Sequence, residues 1–519
     1  MISFRLQVVA TSALTGALLL TGCRVGPKYQ KPPAMAQAPP ATYKESPTQF
    51  PAMDGWKVAQ PQDAMLHGKW WEIYNDPELN ALEEKLNIDN QTLKQYFENF
   101  MESRALVAEA RSQLFPTVSF GPSFSQTGSS ANLSNGVGTA TATGTGTGTT
   151  QVVSGNKQTG LYSLPFDVSW EPDLWGRVRN TIREYQYNAQ VSFADLENER
   201  LTEQASLAVY FFELRGQDAL QSLYDQTVAA DQKSLDYTRA QYDTGVGDQI
   251  SVVEAQNTLQ NAQAAATNIG VARAQYEHAI AVLIGTDPSS FSIPVKPLNA
   301  APPVVPIGVP SQLLERRPDI AASERTMASA NAAIGVADAA FYPTLILSGT
   351  AGLESSSFKH LFDWSSRIWS VGPGISETIY DGGLRRATVH QYTAIYNADV
   401  AGYRQTVLTA FQQVEDYLAQ ERILSQQIGQ QKAAAQSAQQ FVDMETSRYQ
   451  TGIDPYVNLV TAQTTLLSDQ QTLANLNTQV MASSVELVVA LGGGWDGTQL
   501  QTPADVSKKP TAAETSIHN

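Results

Sequence analysis

Apolar residues alternate with small or polar ones at two places in the chain, and each place leads into a long run with helical spacing. In the first, Tyr162, Leu164, Phe166, Val168 and Trp170 alternate with Ser163, Pro165, Asp167 and Ser169. That is the period of a strand with one apolar and one wet face. Val118, Phe120 and Phe124 supply its partner strand. In the second, Leu345, Leu347, Gly349, Ala351 and Leu353 face Trp369, Val371, Pro373 and Ile375. Two hairpins, hence four amphipathic strands, are predicted. Residues 123–160, with Thr-Gly alternation from Thr143 to Thr150, have the composition of a flexible loop.

The helical runs are long. Val178, Ile182, Tyr185, Ala189, Phe193 and Leu196 recur at steps of three and four. No proline occurs between Pro172 and Pro288 or between Pro373 and Pro455. Asp173 to Tyr242, if fully helical, spans roughly 105 Å at ~1.5 Å per residue, with Gly216 a candidate local break. Thr244-Gly245 and Thr451-Gly452 end the first helix of each set, glycine supplying the left-handed cap. Return helices follow, to about Gly285 and Leu491. A shorter helix is expected from Asp76-Pro77, a capping side chain before proline at the first helical position, to about Phe115, where Pro116 stops it. Staves this long and this rich in Ala, Gln and Thr suit coiled-coil packing.

The two sets are copies. Gly176, Tyr242, Thr244, Gly245, Val253, Ala255, Gln256, Leu259 and Gly285 recur 207 positions later as Gly383, Tyr449, Thr451, Gly452, Val460, Ala462, Gln463, Leu466 and Gly492. A period this long marks a duplicated half-molecule, not a solenoid. Pro116 to Gly176 exceeds Pro343 to Gly383 by 20 residues. The surplus falls in the first hairpin and predicts an elongated hairpin tip.

Of the 519 residues, 1–22 read as a signal peptide: a lone charge at Arg5, an apolar stretch, then Leu20-Thr21-Gly22-Cys23. That tetrapeptide resembles the lipobox of bacterial lipoproteins, with Cys23 the lipidated residue and Arg24 favouring the outer membrane. The alternative is a plain secretory signal and an incidental cysteine. Cys23 is the only cysteine, so no disulfide forms within the chain. Residues 23–75 read as a lipid-anchored tether, 76–287 and 313–495 as the two repeats, 288–312 as a Pro-rich linker, and 496–519 as a disordered tail. The net charge of −16 argues against a nucleic-acid partner. No later stretch has ~18 consecutive apolar residues, so any bilayer crossing must use strands.

Four strands cannot close a transmembrane barrel, for which about eight is the minimum. Copies must share one: two give 8 strands, three 12, four 16. The predicted fold is an α+β membrane protein, with antiparallel coiled-coil helices forming an α-barrel below the shared β-barrel.

Several segments carry a family resemblance: Cys23 to Tyr29, Trp70-Trp71 through Asp76-Pro77, Glu171 to Arg177, Leu313 to Ile320, Ala339 to Pro343, Tyr380 to Gly383, and Arg448 to Gly452. In these the chain resembles the outer-membrane factors of tripartite efflux pumps, the TolC-like proteins, in their NodT-like lipoprotein branch. The resemblance implies a homotrimer with a 12-stranded barrel. It implies a periplasmic adaptor and an inner-membrane pump, usually of the resistance-nodulation-division type, as partners, contact with outer-membrane lipid, and no catalysis and no cofactor. It places a closed periplasmic aperture at the helix turns, with Tyr449 on a matching position. Relatives carry an aspartate where Thr461 stands, often an arginine where Thr464 stands, and in one case a further aspartate at Asn458. Glu254, the repeat equivalent of Thr461, could supply the missing carboxylate. Tyr242 is the repeat equivalent of Tyr449. The plainer readings are a packed stave residue for Tyr449 and a turn residue before Pro455 for Asp454. Asp319 is expected to cap a helix beside solvated Arg316 and Arg317. Trp170 and Trp369 read as interface aromatics or as packing at the strand–helix junction.

Enzyme chemistry finds no support. His67, His278, His360, His390 and His518 show no metal spacing, the Gly-Thr repeats lack the lysine of a phosphate loop, and there is no nucleophile elbow. A protein-secretion outlet and a non-conducting envelope lipoprotein remain as rivals to an efflux channel; the lipoprotein would not need two alternating hairpins.

Overall fold

The computed structural model describes residues 24–35, 42–45, 68–128, 158–299, 301–303, 305 and 313–509. Cys23 and most of the Thr-Gly loop lie outside them. A 3-10 turn, Trp70–Tyr74, leads to helices α1 (Pro77–Asp89) and α2 (Gln91–Ser112), strands β1 (Thr117–Phe120), β2 (Ser123–Gly128) and β3 (Gln158–Trp170), and helices α3 (Arg177–Asp243) and α4 (Gln249–Leu283). The second copy follows as α5 (Leu313–Arg316), α6 (Pro318–Ala339), β4 (Thr344–Ser355), β5 (Arg367–Ser376), α7 (Leu384–Gln450) and α8 (Tyr456–Ala490), and α9 (Pro503–Val506) closes the described chain. The duplication is kept to the residue. α3 and α7 have 67 residues each and α4 and α8 have 35. Both pairs begin 207 positions apart, whereas α2 and α6 begin 227 apart, which leaves the 20 surplus residues in the first hairpin.

Two compact units divide the chain: Met1–Lys28, Ala108–Glu184 and Asn331–Thr393, and the remainder. The first unit holds one antiparallel sheet. β3 pairs with β1 and β2 on one side and β4 on the other, and β4 pairs with β5. Register puts Phe120 beside Phe166, Phe166 beside Ala351, and Ala351 beside Trp369. One face is therefore apolar. The other carries Asp167 and Thr350, joined by a 2.6 Å hydrogen bond. Pro165 sits in central β3, where proline is rare because it donates nothing to the ladder. Its partner is Gly352, where a Cβ would lie 2.3 Å from the Leu164 carbonyl oxygen. Gly121 and Pro122 interrupt the other flank, so the first strand run is split into β1 and β2. Trp170 Nε1 donates to the Leu114 carbonyl at 3.0 Å. Trp369 is 80% exposed.

At the strand-to-helix junctions, aspartates cap the helices. Asp173 accepts from the Val178 and Arg179 amides, and Asp381 from those of Gly383 and Arg385. Gly176 and Gly383 make the turns at φ 81° and 96°, a region closed to most side chains. The segment after Cys23 is strapped here rather than free. The Val25 amide donates to the Trp175 carbonyl at 3.0 Å, and Arg24 Nε to Asn180 Oδ1 at 2.6 Å.

The second unit is helical, with its main core around Trp70, Leu79, Leu207, Phe211, Met327, Tyr403 and Val485. Several expectations need correction. The helix from Pro77 breaks at Asn90, whose carboxamide caps α2 through the Leu93 amide. Gly216 does not break α3; a Cβ there would meet Thr478 Oγ1 at 2.3 Å, so it serves close helix approach. Arg317 is not solvated: it pairs with Asp319 and donates to Gln413 Oε1 and the Ala490 carbonyl. The tail is ordered to residue 509. Val506 is buried against Phe100, Val107 and Ala189, and Gln190 and Arg104 donate to the Gln501 and Lys508 carbonyls. The tether and linker also pack. Glu45 pairs with Arg422, Tyr43 is buried, and Arg273 and Arg215 hold the Ile293 and Pro294 carbonyls. Composition set these segments apart as coil, but their backbone groups find side-chain partners on the helices.

Candidate functional site

Two helix turns, α3 to α4 and α7 to α8, form the site. Both begin with the same cap. The Val246 amide reaches back to the Gln241 carbonyl and the Ile453 amide to the Arg448 carbonyl, each at 2.9 Å. Gly245 and Gly452 adopt φ 78° and 75°, as a left-handed C-cap requires. α4 then starts on Asp248, whose carboxylate accepts from the Ser251 amide at 2.7 Å. That bond, the largest influence, holds its carboxyl below the usual range. α8 starts on Pro455, which has no side-chain cap.

The copies then diverge. Tyr242 is 45% exposed, whereas Tyr449 is 8% exposed. Tyr449 packs with Leu235, Ala255, Leu259, Tyr456 and Leu459. Its hydroxyl donates to Gln241 Oε1 at 2.7 Å, and its ring meets those of Tyr237 and Tyr456 at 5.8 and 5.3 Å. Burial, first, and the charges of Tyr237 and Asp248 push its phenol upward, against a smaller downward pull from the Thr238 hydroxyl. Tyr237 in turn donates to the Gln450 carbonyl at 3.3 Å. Thus Tyr449 ties the end of α7 to the end of α3 within one chain.

Asp454 is paired with Arg448 through Nε and Nη2. The bond to that guanidinium is the main reason its carboxyl lies below the ordinary range. The equivalent positions of the first turn are Gln241 and Gly247, so only the second turn is clamped by charge. Asn458 and Thr461 lie one turn apart on α8 and are exposed. The Thr461 hydroxyl is spent on the Val457 carbonyl at 2.8 Å, and that of Thr464 on the Val460 carbonyl. Glu254 is half-buried, and its charge reaches Tyr456. The structure thus brings Tyr449 into one cluster with Tyr456 and leaves Tyr242, Asn458 and Thr461 outside it.

Sequence reasoning assigned no role to Arg448, Gln241, Tyr237 or Tyr456. The six-residue step from Arg448 to Asp454 across a capped turn was the available signal. Also missed was Asp231 on α3, 3% exposed, with its carboxyl raised to about 6 by burial. Among the described residues no His, Cys, Asp and Glu cluster could hold a metal ion, and no helix is long and apolar enough to cross a membrane. The turns also expose Val246, Ile250 and Ile453, at 79%, 70% and 65%. The site can hold helix ends together or present apolar turns.

A sheet with one apolar face, joined to paired staves that turn back at capped tips, is the fold of the TolC-like outer-membrane channels. The solved outer-membrane channel OprN matches it with a TM-score of 0.79 at 26% identity, covering 91% of this chain and 100% of its own. The Campylobacter jejuni CmeC channel matches in fold with a TM-score of 0.82 at 20% identity, covering 96% and 99%. The toluene efflux pump outer membrane protein TtgC of Pseudomonas putida is 31% identical over 486 residues, 92% of this chain and 94% of that one. A family model described as outer membrane efflux protein matches residues 82–286 and 309–493. The chain belongs to the outer membrane efflux protein family.

Proposed function

We propose that this chain is the channel subunit through which a tripartite efflux system expels small toxic molecules across the outer membrane. The observation that carries this is the sheet. It has an apolar face, a hydrogen-bonded polar face and, among the described residues, unpaired edges at β5 and along β1 and β2. Open edges are not tolerated in lipid, so sister copies supply the missing partners, and three copies give 12 strands from four runs each. The polar face then lines the lumen of that shared barrel. A periplasmic adaptor docks at the helix turns and a proton-driven inner-membrane pump feeds the conduit. Cys23 carries the lipid anchor, and the two residues that follow it, Arg24 and Val25, are held against Asn180 and Trp175. The chain is not an enzyme and takes no cofactor.

Planar-bilayer recording tests this reading. Purified full-length protein is expected to form discrete channels, and a host lacking its own outlet should regain tolerance to toxic solvents when the cognate adaptor and pump are present. Folded protein that forms no pores would favour a scaffold; export of a polypeptide instead of small molecules would favour a secretion outlet. Within the channel, the Tyr449 cluster closes the aperture. Tyr449→Ala should raise the closed-state conductance severalfold, and an unaltered closed state would remove Tyr449 from the gate.

A further inference from the structure

Three charged residues lie in the described strands: Asp167, Glu354 and Arg367. Register separates them. Asp167 pairs with Thr350 and Glu354 with Ser163, on the polar face. Arg367 pairs with Leu353, two residues along from Trp369, and so shares the apolar face with Trp369, Val371 and Ile375. That face is the one the channel reading turns toward lipid, and the inference rests on that reading.

A charge on a lipid-facing strand is costly at the bilayer midplane and nearly free at the interface. Position decides which applies. Arg367 is the first residue of β5, and Ile375 opposite Leu345 is near its other end. Eight steps at ~3.4 Å per residue give roughly 27 Å along the strand, enough for an apolar band of about 25 Å. Arg367 therefore stands at one rim. It is the rim away from α6 and α7, which join the sheet at Thr344 and Ser376.

The local surroundings prepare the guanidinium. It stacks over the Trp364 ring, and Nε donates to the Trp364 carbonyl at 2.8 Å. Neither Nη has an acceptor among the described residues. Trp364 and Trp369, 78% and 80% exposed, flank an open cleft of about 940 Å³ whose wall includes Arg367, Ser365 and Asp363. Asp363, the acid beside it, accepts from His360 Nδ1 at 2.8 Å. A planar cation with both Nη groups free, fixed by stacking on the Trp364 indole at the edge of an apolar band, matches the phosphate of a lipid whose acyl chains lie along that band.

We propose that Arg367, with Trp364 and Trp369, forms a binding site for a phosphorylated lipid headgroup at the outward rim of the barrel. The geometry asks for a phosphate attached to acyl chains: the N–H fork takes the phosphate and the indoles take the interface between head and tail.

The test uses full-length protein in detergent, titrated with lipid A, with lipid A stripped of phosphate, with phosphatidylglycerol and with inorganic phosphate, and read by native mass spectrometry. Lipid A should bind, and Arg367→Gln should weaken it about tenfold while Arg367→Lys weakens it less. The stripped lipid should bind wild type and Arg367→Gln alike. Competition by phosphatidylglycerol as strong as by lipid A would still place the site on a lipid phosphate, in either leaflet lipid; displacement by millimolar inorganic phosphate alone would overturn the requirement for a lipid. Equal lipid A retention by wild type and Arg367→Gln would also overturn the proposal. Conductance of both proteins separates this from the channel reading: pores in both with equal retention would sink only the lipid site, and absence of pores in wild type would sink both.

Discussion

Asp231 shows how one buried charge tunes the tip. It is almost fully buried on α3 and its carboxyl titrates at about 6, raised by burial, against ~3.9 in an unfolded chain. Charged groups around the tip include Lys233, Asp236, Arg239 and Asp243 of α3, Asp248 before α4 and Glu254 on it, Glu445 and Arg448 of α7, and Asp454 in the turn, with Tyr456 close enough on α8 to feel Asp231. Because the folded carboxyl binds its proton more tightly than the unfolded one, the charge weakens the tip fully above pH 6. That penalty fades as pH falls through 6 toward 4. Asp231→Asn should therefore slow amide exchange around residues 228–235 at pH 7.5 by about fivefold, on the order of 1 kcal/mol, with no difference from wild type at pH 4. A difference that grew on acidification would contradict the assignment. Residue identity alone did not reveal this: Asp231 lies between Ala230 and Gln232 on a long helix, and its burial comes from packing that the sequence does not announce.

At the level of elements, much was legible because each signal was local. The alternation of Tyr162 to Trp170, the Asp76-Pro77 start and the Thr-Gly ends are all set by a few neighbouring residues, and the 207-residue offset carried the first copy onto the second. Partnerships between distant segments were not legible. Nothing near Val506 announces Phe100, and nothing near Glu45 announces Arg422. Pro165 reads as a flaw in a strand until Gly352 is seen opposite. That pair yields a controlled prediction. Gly352→Ala puts a methyl 2.3 Å from the Leu164 carbonyl oxygen and 2.8 Å from Pro165 Cα, both backbone, whereas Gly372 has nothing within 4 Å. Forcing β3 and β4 apart should cost about 1–3 kcal/mol. Gly352→Ala should lower the temperature at which the assembled protein dissociates on semi-native gels, and Gly372→Ala should leave it unmoved. Equal effects would mean that the close approach does not matter.

For the whole molecule, duplication supplies the frame and divergence supplies the function. Two helix sets of equal length give pseudo-equivalent turns, yet Tyr242 is exposed where Tyr449 is packed, and only the second turn has the Arg448–Asp454 pair. One set of turns is thus better fastened than the other.

The unpaired flanks of the sheet have a kinetic corollary. On the proposed channel reading, a chain whose described strands leave both flanks open completes its ladder only with sister copies, so its final folding step is a collision between molecules. The half-time for gaining heat-resistant oligomer from denaturant should shorten as protein concentration rises. A half-time independent of dilution would mean that each polypeptide completes its sheet by itself.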